Sequence, residues 1–423
     1  MTKTIKLILL AICCMAFTVP TGHTIYPIDG YSYSGIRRLK HLQLAMFGDL
    51  PEVKLPAGAY KGINDIQLNL LSRKQAATQD VLVENVALQK KIDALFPRLD
   101  KSYSVTILDI TKPDSLRYAQ QNETRGYQPG SVGKLVVVTA LFTQLAKIYP
   151  NDYDKRVALL KTKMVKGGNW VLTDEHTIPV FDINTNKLIK RQAAASDVFS
   201  IFEWADHMLS VSNNGAASVV WREALLMAAF GDKYPTMTQE DADAYFAKGP
   251  KNEITDLAIE VVHQPLRNLG ITEDEWRLGT FFTRGVNPYV GSKGGSIGSP
   301  LGLMKWMVQL EQGKIVDEKS SLEIKRLMYM TDRRIRYAQA PELRDAAVYF
   351  KSGSLYKCDK TKGETCGKYK GNVYNYMNSV AIVEHTDGTK YMVCLMTNVL
   401  RKNSAGDHLA LASRIDQTIR SFK

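Results

Sequence analysis

The chain has 423 residues, a formal net charge of +12 and 45% hydrophobic residues. That much apolar material builds a substantial core and excludes wholesale disorder, and the length suits two domains or one large domain with a smaller lobe. The positive balance fits an anionic neighbour such as a cell surface, but no Lys/Arg run is long enough for a nucleic-acid arm; the densest patch, Asp332 to Arg336, reads as a solvated helix end.

Taken in order, the chain opens on a targeting segment. Lys3 and Lys6 precede an apolar stretch, Leu7 to Phe17, that is too short to span a bilayer. A signal peptide over residues 1–24 is expected, cut after Ala16 or at a later site up to Thr24. The mature chain would then be exported, to a periplasm or the medium, with no transmembrane segment. Ile12 stands before Cys13 where lipidation needs a small residue, which argues against a lipoprotein. Residues 25–79 form an N-terminal extension in which Gly35 to Met46 reads as a helix or an extended arm. Asp80 to Leu95 carries Val81, Leu88, Ile92 and Leu95 at helical spacing, and Pro97 closes it. Tyr103 to Asp109 alternates as a strand, and a second strand passes through Tyr118 and Ala119. The connection is too short for a parallel crossover, so the pair is antiparallel.

Pro129-Gly130 is a turn signal, and Ser131-Val132-Gly133-Lys134 leads into the apolar run Leu135 to Phe142. The spacing predicts a buried helix to about Ile148, with Ser131 in its first turn. Side chains three apart share a helix face, so the Lys134 amine can reach the Ser131 hydroxyl. A hydroxyl is a poor nucleophile without an adjacent base, and a lysine beside a long apolar run carries a lowered pKa or a partner. Phe199 to Leu209 and Val219 to Phe230 read as helices around the polar turn Ser212-Asn213-Asn214. Gly231 to Pro265 is rich in charge and turn signals. Ser299 caps a helix starting at Pro300. Ala346 to Ser354 reads as a strand containing Lys351-Ser352-Gly353-Ser354, and Asp387-Gly388 marks a hairpin between Val380–His385 and Lys390–Leu395. A helix from Leu409 to Ile419 covers that sheet. The expected fold is α+β: an antiparallel sheet built from both chain ends, flanking helices, and an inserted all-helical region. Its lobes would be 80–130 with 345–423, and 131–344. In an exported protein, Cys358 and Cys366 are expected to bridge across the loop between them, and Cys394 to be an inert core thiol. The seven histidines show no ligand spacing, so neither a metal nor another cofactor is expected.

Three separated pieces, Ser131-x-x-Lys134, Ser212-Asn213-Asn214 and Lys351-Ser352-Gly353, fall in this order on a helix start, an inter-helical turn and a strand. The set resembles the penicillin-recognising serine enzymes, the serine beta-lactamases and the D-alanyl-D-alanine peptidases. The details are most similar to the class A beta-lactamases: Ser212-Asn213-Asn214-Gly215-Ala216-Ala217 is close to their Ser-Asp-Asn-Thr-Ala-Ala, and Ser299-Pro300 to their Thr-Pro. The resemblance covers roughly residues 80–423. It implies that Ser131 is acylated, that Lys134 accepts its proton and that Ser212 relays a proton to the leaving nitrogen. Asn214 would orient Lys134 and bind the substrate amide, Lys351 would add positive potential, and Ser352 would bind the substrate carboxylate. The backbone N–H groups of Ser131 and Ser354, with Gly353 between Ser352 and Ser354, would make the oxyanion hole. The implied partner is a beta-lactam or a cell-wall peptide, and the implied state a monomer.

The pattern also breaks. Class A enzymes carry a deacylating Glu in a Glu-x-x-Leu-Asn setting, and no such motif occurs here. Counting back 17 positions from Pro300 gives Thr283. Glu275, in Glu275-Trp276-Arg277-Leu278, could serve as that base only if the glycine-rich stretch before Pro300 loops out. The long gaps between the motifs place extra material in 152–195 and 231–280. Competing readings are therefore a beta-lactamase-like hydrolase, a slowly deacylating penicillin-binding protein, a D-alanyl peptidase or transpeptidase, an esterase with the same Ser/Lys pair, and a wall-binding protein that keeps the fold without the chemistry.

Overall fold

The computed structural model describes residues 29–55, 58–59 and 61–422; the expected signal peptide lies outside the described residues. Two helices come first, α1 (Gly30–Ser34) and α2 (Arg37–Met46), so the stretch left between helix and arm is mostly helical. Next are α3 (Thr78–Val81) and α4 (Val86–Asp93). The single helix expected from Asp80 to Leu95 is broken, for a local reason. Asn85 takes an extended backbone and caps α4, its side chain accepting from the Leu88 N–H at 3.0 Å, while its own N–H donates to the Tyr118 carbonyl at 2.8 Å. A residue used in this way starts one helix and cannot continue another.

β1 (Ser104–Asp109) and β2 (Arg117–Gln121) pair antiparallel. A tight 3₁₀ turn at Gly130–Gly133 runs straight into α5 (Lys134–Ile148), followed by α6 (Tyr153–Thr162) and β3 (Met164–Lys166). A hairpin of β4 (Thr177–Asp182) and β5 (Lys187–Gln192) comes next, then β6 (Val198–Ser200), which pairs with β3. The helical part continues with α7 (Ile201–Ser210), α8 (Asn214–Phe230), α9 (Gln239–Lys248) and α10 (Lys251–Asn268). Short β7 (Trp276–Arg277) and β8 (Ile297–Gly298) lead to α11 (Pro300–Glu311) and α12 (Glu318–Tyr329). The chain returns as β9 (Ala347–Lys357), β10 (Tyr374–Glu384) and β11 (Lys390–Asn398), and ends in α13 (Ala405–Arg420).

The main sheet has the order β2-β1-β11-β10-β9 and every neighbour is antiparallel, so both chain ends build it. Side chains alternate across it with period two. On β11, Met392, Cys394 and Met396 join the core shared with the helical part, whereas Tyr391, Val393 and Leu395 join the core under α13. At the centre of the first core lies α5, buried from Lys134 through Phe142. A helix apolar on all sides must be wrapped by others. α5 is apolar enough to cross a membrane by composition, but most of it is covered by the molecule itself.

Two further departures from expectation concern helices. The charged, turn-like stretch 231–265 contains α9 and most of α10. Thr238 and Asp241 form a reciprocal capping box at α9, and Ile254, Ala258, Val261, Val262 and Leu266 are buried along α10, with Pro265 only in its last turns. α12 ends just before the basic patch read as a helix end, but its own span was not expected. Cys358 and Cys366 form a disulfide in the β9–β10 loop, and Cys394 is a buried free thiol.

The N-terminal segment is fastened to the helical part. The Arg38 guanidinium meets the fully buried Asp206 of α7 at 2.5 and 2.6 Å, and Arg37 meets Glu203 at 2.9 Å. Further on, Lys325 of α12, also fully buried, donates to the Gln67 carbonyl at 2.6 Å and pairs with Glu311 and Glu384 at 2.6 and 2.8 Å.

Candidate active site

The turn before α5 sets the position of Ser131. Gly130 has φ +54°, a conformation that glycine adopts readily, and a Cβ there would lie 3.0 Å from the Ser354 nitrogen. From the other side, a Cβ on Gly353 would lie 2.1 Å from the Pro129 carbonyl and 3.0 Å from the Ser131 nitrogen. Only glycine allows β9 to press against the turn this closely. The contact brings the backbone nitrogens of Ser131 and Ser354 to one crevice. Asn378 of β10 locks the turn by donating to the Gln128 and Pro129 carbonyls at 2.9 and 3.1 Å.

Lys134, the first residue of α5, is wholly buried. Its Nζ lies 2.9 Å from Ser131 Oγ, 2.6 Å from the Ser212 carbonyl, 2.7 Å from Asn214 Oδ1 and 3.3 Å from Ser212 Oγ. The Ser212 carbonyl and the Asn214 Oδ1 can only accept. A hydroxyl can accept or donate. A neutral Lys134 therefore donates to the two acceptors and turns its lone pair to the Ser131 O–H. Burial pushes the Lys134 pKa down to about 7; Asp174 opposes this and Arg333 adds to it. The Phe282 ring closes the site 5.2 Å from Nζ.

Ser212 sits in the turn between α7 and α8 with φ +62°, which is rare for a residue with a side chain. Strain of this kind is held only where the surroundings over-determine it. Here they do: its carbonyl is fixed by Lys134, and its Oγ lies 2.8 Å from the Nζ of Lys351 on β9. Lys351 is buried too, and burial, then the neighbouring Lys134, holds its pKa well below the usual lysine range. Its Nζ also donates to the Ser352 carbonyl at 3.1 Å. The structure thus brings Ser131, Lys134, Ser212, Asn214 and Lys351 into direct contact, with Ser352, Gly353 and Ser354 on the adjoining strand. The cleft over them has a volume of about 460 Å³, with Ser131, Asn214, Glu175, His176, Phe282 and Tyr369 among its walls.

Glu275 is a correction. Its carboxylate lies 2.5 Å from Lys305 and 2.9 Å from the Thr272 N–H, and it is absent from the walls of the cleft. It closes a turn before β7 and stabilises α11. Thr283, at the counted position, has no acid to offer. Its hydroxyl is buried, donating to the Trp170 carbonyl at 2.8 Å and meeting Ser218 Oγ at 2.9 Å.

Two groups near the site escaped the sequence. Arg336, in the patch read as a solvated helix end, is buried: its guanidinium donates to the Gly353 carbonyl at 3.0 Å and Ser354 Oγ at 3.1 Å, and lies under the Tyr369 ring. Asp174 accepts from the backbone N–H groups of Asn214 and Gly215 at 2.6 and 3.2 Å and lies 2.7 Å from His176 Nδ1. Burial would raise the Asp174 pKa, but the His176 ring and these N–H groups hold it below the usual carboxylate range.

A serine hydroxyl in contact with a buried amine, and a second buried lysine on the edge strand, at the junction of an antiparallel sheet and a helical region fit a beta-lactamase-like serine hydrolase. The family model described as the beta-lactamase enzyme family matches residues 87–419, and the chain belongs to that family. Among solved structures it is similar to the extended-spectrum beta-lactamases TLA-3 (14% identity, 79% of this chain and 98% of that one, TM-score 0.52) and TLA-1 (15%, 79% and 98%, 0.52). It is also similar to a beta-lactamase from Chitinophaga pinensis (14%, 79% and 99%, 0.50). At these identities the likeness is one of fold. No curated protein matches the chain.

Proposed function

We propose that the protein is an exported hydrolase that acylates Ser131 with beta-lactam-like amides. Lys134 takes the Ser131 proton as Oγ attacks the amide carbon. Ser212, bridging the two lysines, passes a proton to the leaving nitrogen. Asn214 binds the substrate amide, Lys351 and Ser352 attract and hold its carboxylate, and the Ser131 and Ser354 N–H groups receive the developing oxyanion. Losing one such donor typically costs roughly 3 kcal/mol of transition-state stabilisation. The observation that carries this reading is the Lys134 contact set: of its three nearest partners, only Ser131 Oγ can donate to the amine.

The absence of an acid at Thr283 favours a second reading, a D-alanyl peptidase or penicillin-binding protein in which a beta-lactam adduct persists. Mass spectrometry of the mature protein mixed with benzylpenicillin tests both. A transient adduct on Ser131 with ring opening supports the hydrolase, and a lasting adduct supports the second reading. Ser131→Ala should abolish adduct and hydrolysis alike; a wild-type protein that gives neither overturns acylation itself.

A further inference from the structure

We propose that His176, oriented by Asp174, is the base that activates the deacylating water in this site; the inference rests on the acylation of Ser131 proposed above. With Thr283 and Glu275 unavailable, the walls of the cleft that holds Ser131 contain one carboxylate and one imidazole that could accept a proton from water, Glu175 and His176. They differ in how they are held. Glu175 is exposed and makes no hydrogen bond or ion pair among the described residues.

His176 is fixed at three points. Its Nδ1 lies 2.7 Å from Asp174 Oδ1, its backbone N–H donates to the same oxygen at 3.1 Å, and its carbonyl accepts from Asn213 Nδ2 at 2.9 Å. Asp174 is anchored in turn, because Oδ2 accepts from the first two N–H groups of α8. Those N–H groups stabilise the carboxylate. An ionised Asp174 can only accept, so Nδ1 carries the hydrogen and the lone pair is left on Nε2. Nε2 makes no hydrogen bond among the described residues, and the side chain, about one-third exposed, is among the walls of the cleft. The same Asn214 whose N–H holds Asp174 holds Lys134 by its Oδ1. One residue therefore sets the spacing between the Asp–His pair and the Ser–Lys pair. This is the arrangement in which a carboxylate fixes the tautomer of a general base.

A water oxygen bonds to the ester carbon of the Ser131 acyl group as one of its protons passes to His176 Nε2, and the carbonyl electrons move onto the oxyanion. On collapse the bond from carbon to Ser131 Oγ breaks. The proton on Nε2 is then given to Oγ, and the product acid releases its remaining proton to solvent.

The test separates the two half-reactions by stopped-flow acylation with a fluorescent penicillin and by the lifetime of the adduct in mass spectra. His176→Gln should leave the acylation rate within about threefold of wild type and lengthen the adduct lifetime about 10²-fold, the lower range for general-base catalysis. In His176→Ala, added imidazole should shorten the lifetime again. The proposal is overturned if neither variant changes the lifetime, if acylation falls as far as deacylation, if Glu175→Gln rather than His176→Gln prolongs the adduct, or if the wild-type adduct itself persists for hours. A protein that never acylates fails the earlier reading instead, which this design tells apart.

Discussion

The proposed acylation depends most directly on Lys134, whose environment fixes the sign of its pH dependence. Only the neutral amine can accept the Ser131 proton. With a pKa near 7, the acylation rate should rise through about pH 7 and level off above it, as measured with a fluorescent penicillin across pH 5.5–9. A flat profile over that range would mean that another group takes the proton. The Ser131, Lys134, Ser212, Asn214 and Lys351 cluster was legible in the sequence, because each residue sits in a short motif whose local structure could be read. Asp174 and His176 were not. Asp-x-His is common in loops, and its meaning here comes from Asn214, forty positions away, which no local pattern announces. Arg336 was hidden by its company: in a run of basic residues it looked solvated, yet its side chain turns inward to β9.

At the scale of elements, the meeting of the Gly130–Gly133 turn with β9 is the joint that makes the site. Gly353→Ala would drive a methyl into the Pro129 carbonyl. We expect β9 to retreat, a stability loss of about 1–3 kcal/mol from overpacking by chemical denaturation, and an acylation rate at least tenfold lower as the Ser354 N–H leaves the crevice. Unchanged acylation in a folded G353A protein would remove the Ser354 N–H from the proposed role. The five strands of the main sheet, α5 and α11 were legible from alternation and a hairpin turn, an unbroken apolar run and a Ser-Pro cap. α9 and α10 were not. Frequent charges hid their apolar stripe, and a proline that reads as a terminator is tolerated in the last turns of α10. The break at Asn85 shows the opposite failure, where helical spacing continued across a cap and the cap prevailed.

Across the whole molecule, the sheet from both chain ends was expected, but the fastening of the N-terminal segment was not. Arg38 and Asp206 lie 168 positions apart, and nothing local pairs them. Arg38→Ala would leave the Asp206 carboxylate buried without its guanidinium, and we expect about 3–5 kcal/mol of lost stability, read from urea unfolding. A change under 1 kcal/mol would show that the pair is not closed in solution. The same fastening bears on how the family match is used. The matched stretch begins at residue 87, after Arg37, Arg38 and the Gln67 carbonyl. A protein trimmed to that boundary would keep every Ser, Lys and Asn of the cleft and still uncover Glu203 and Asp206 on α7, stripped of both arginines. The stretch that the family model covers is thus narrower than the smallest piece of this chain that should stand alone.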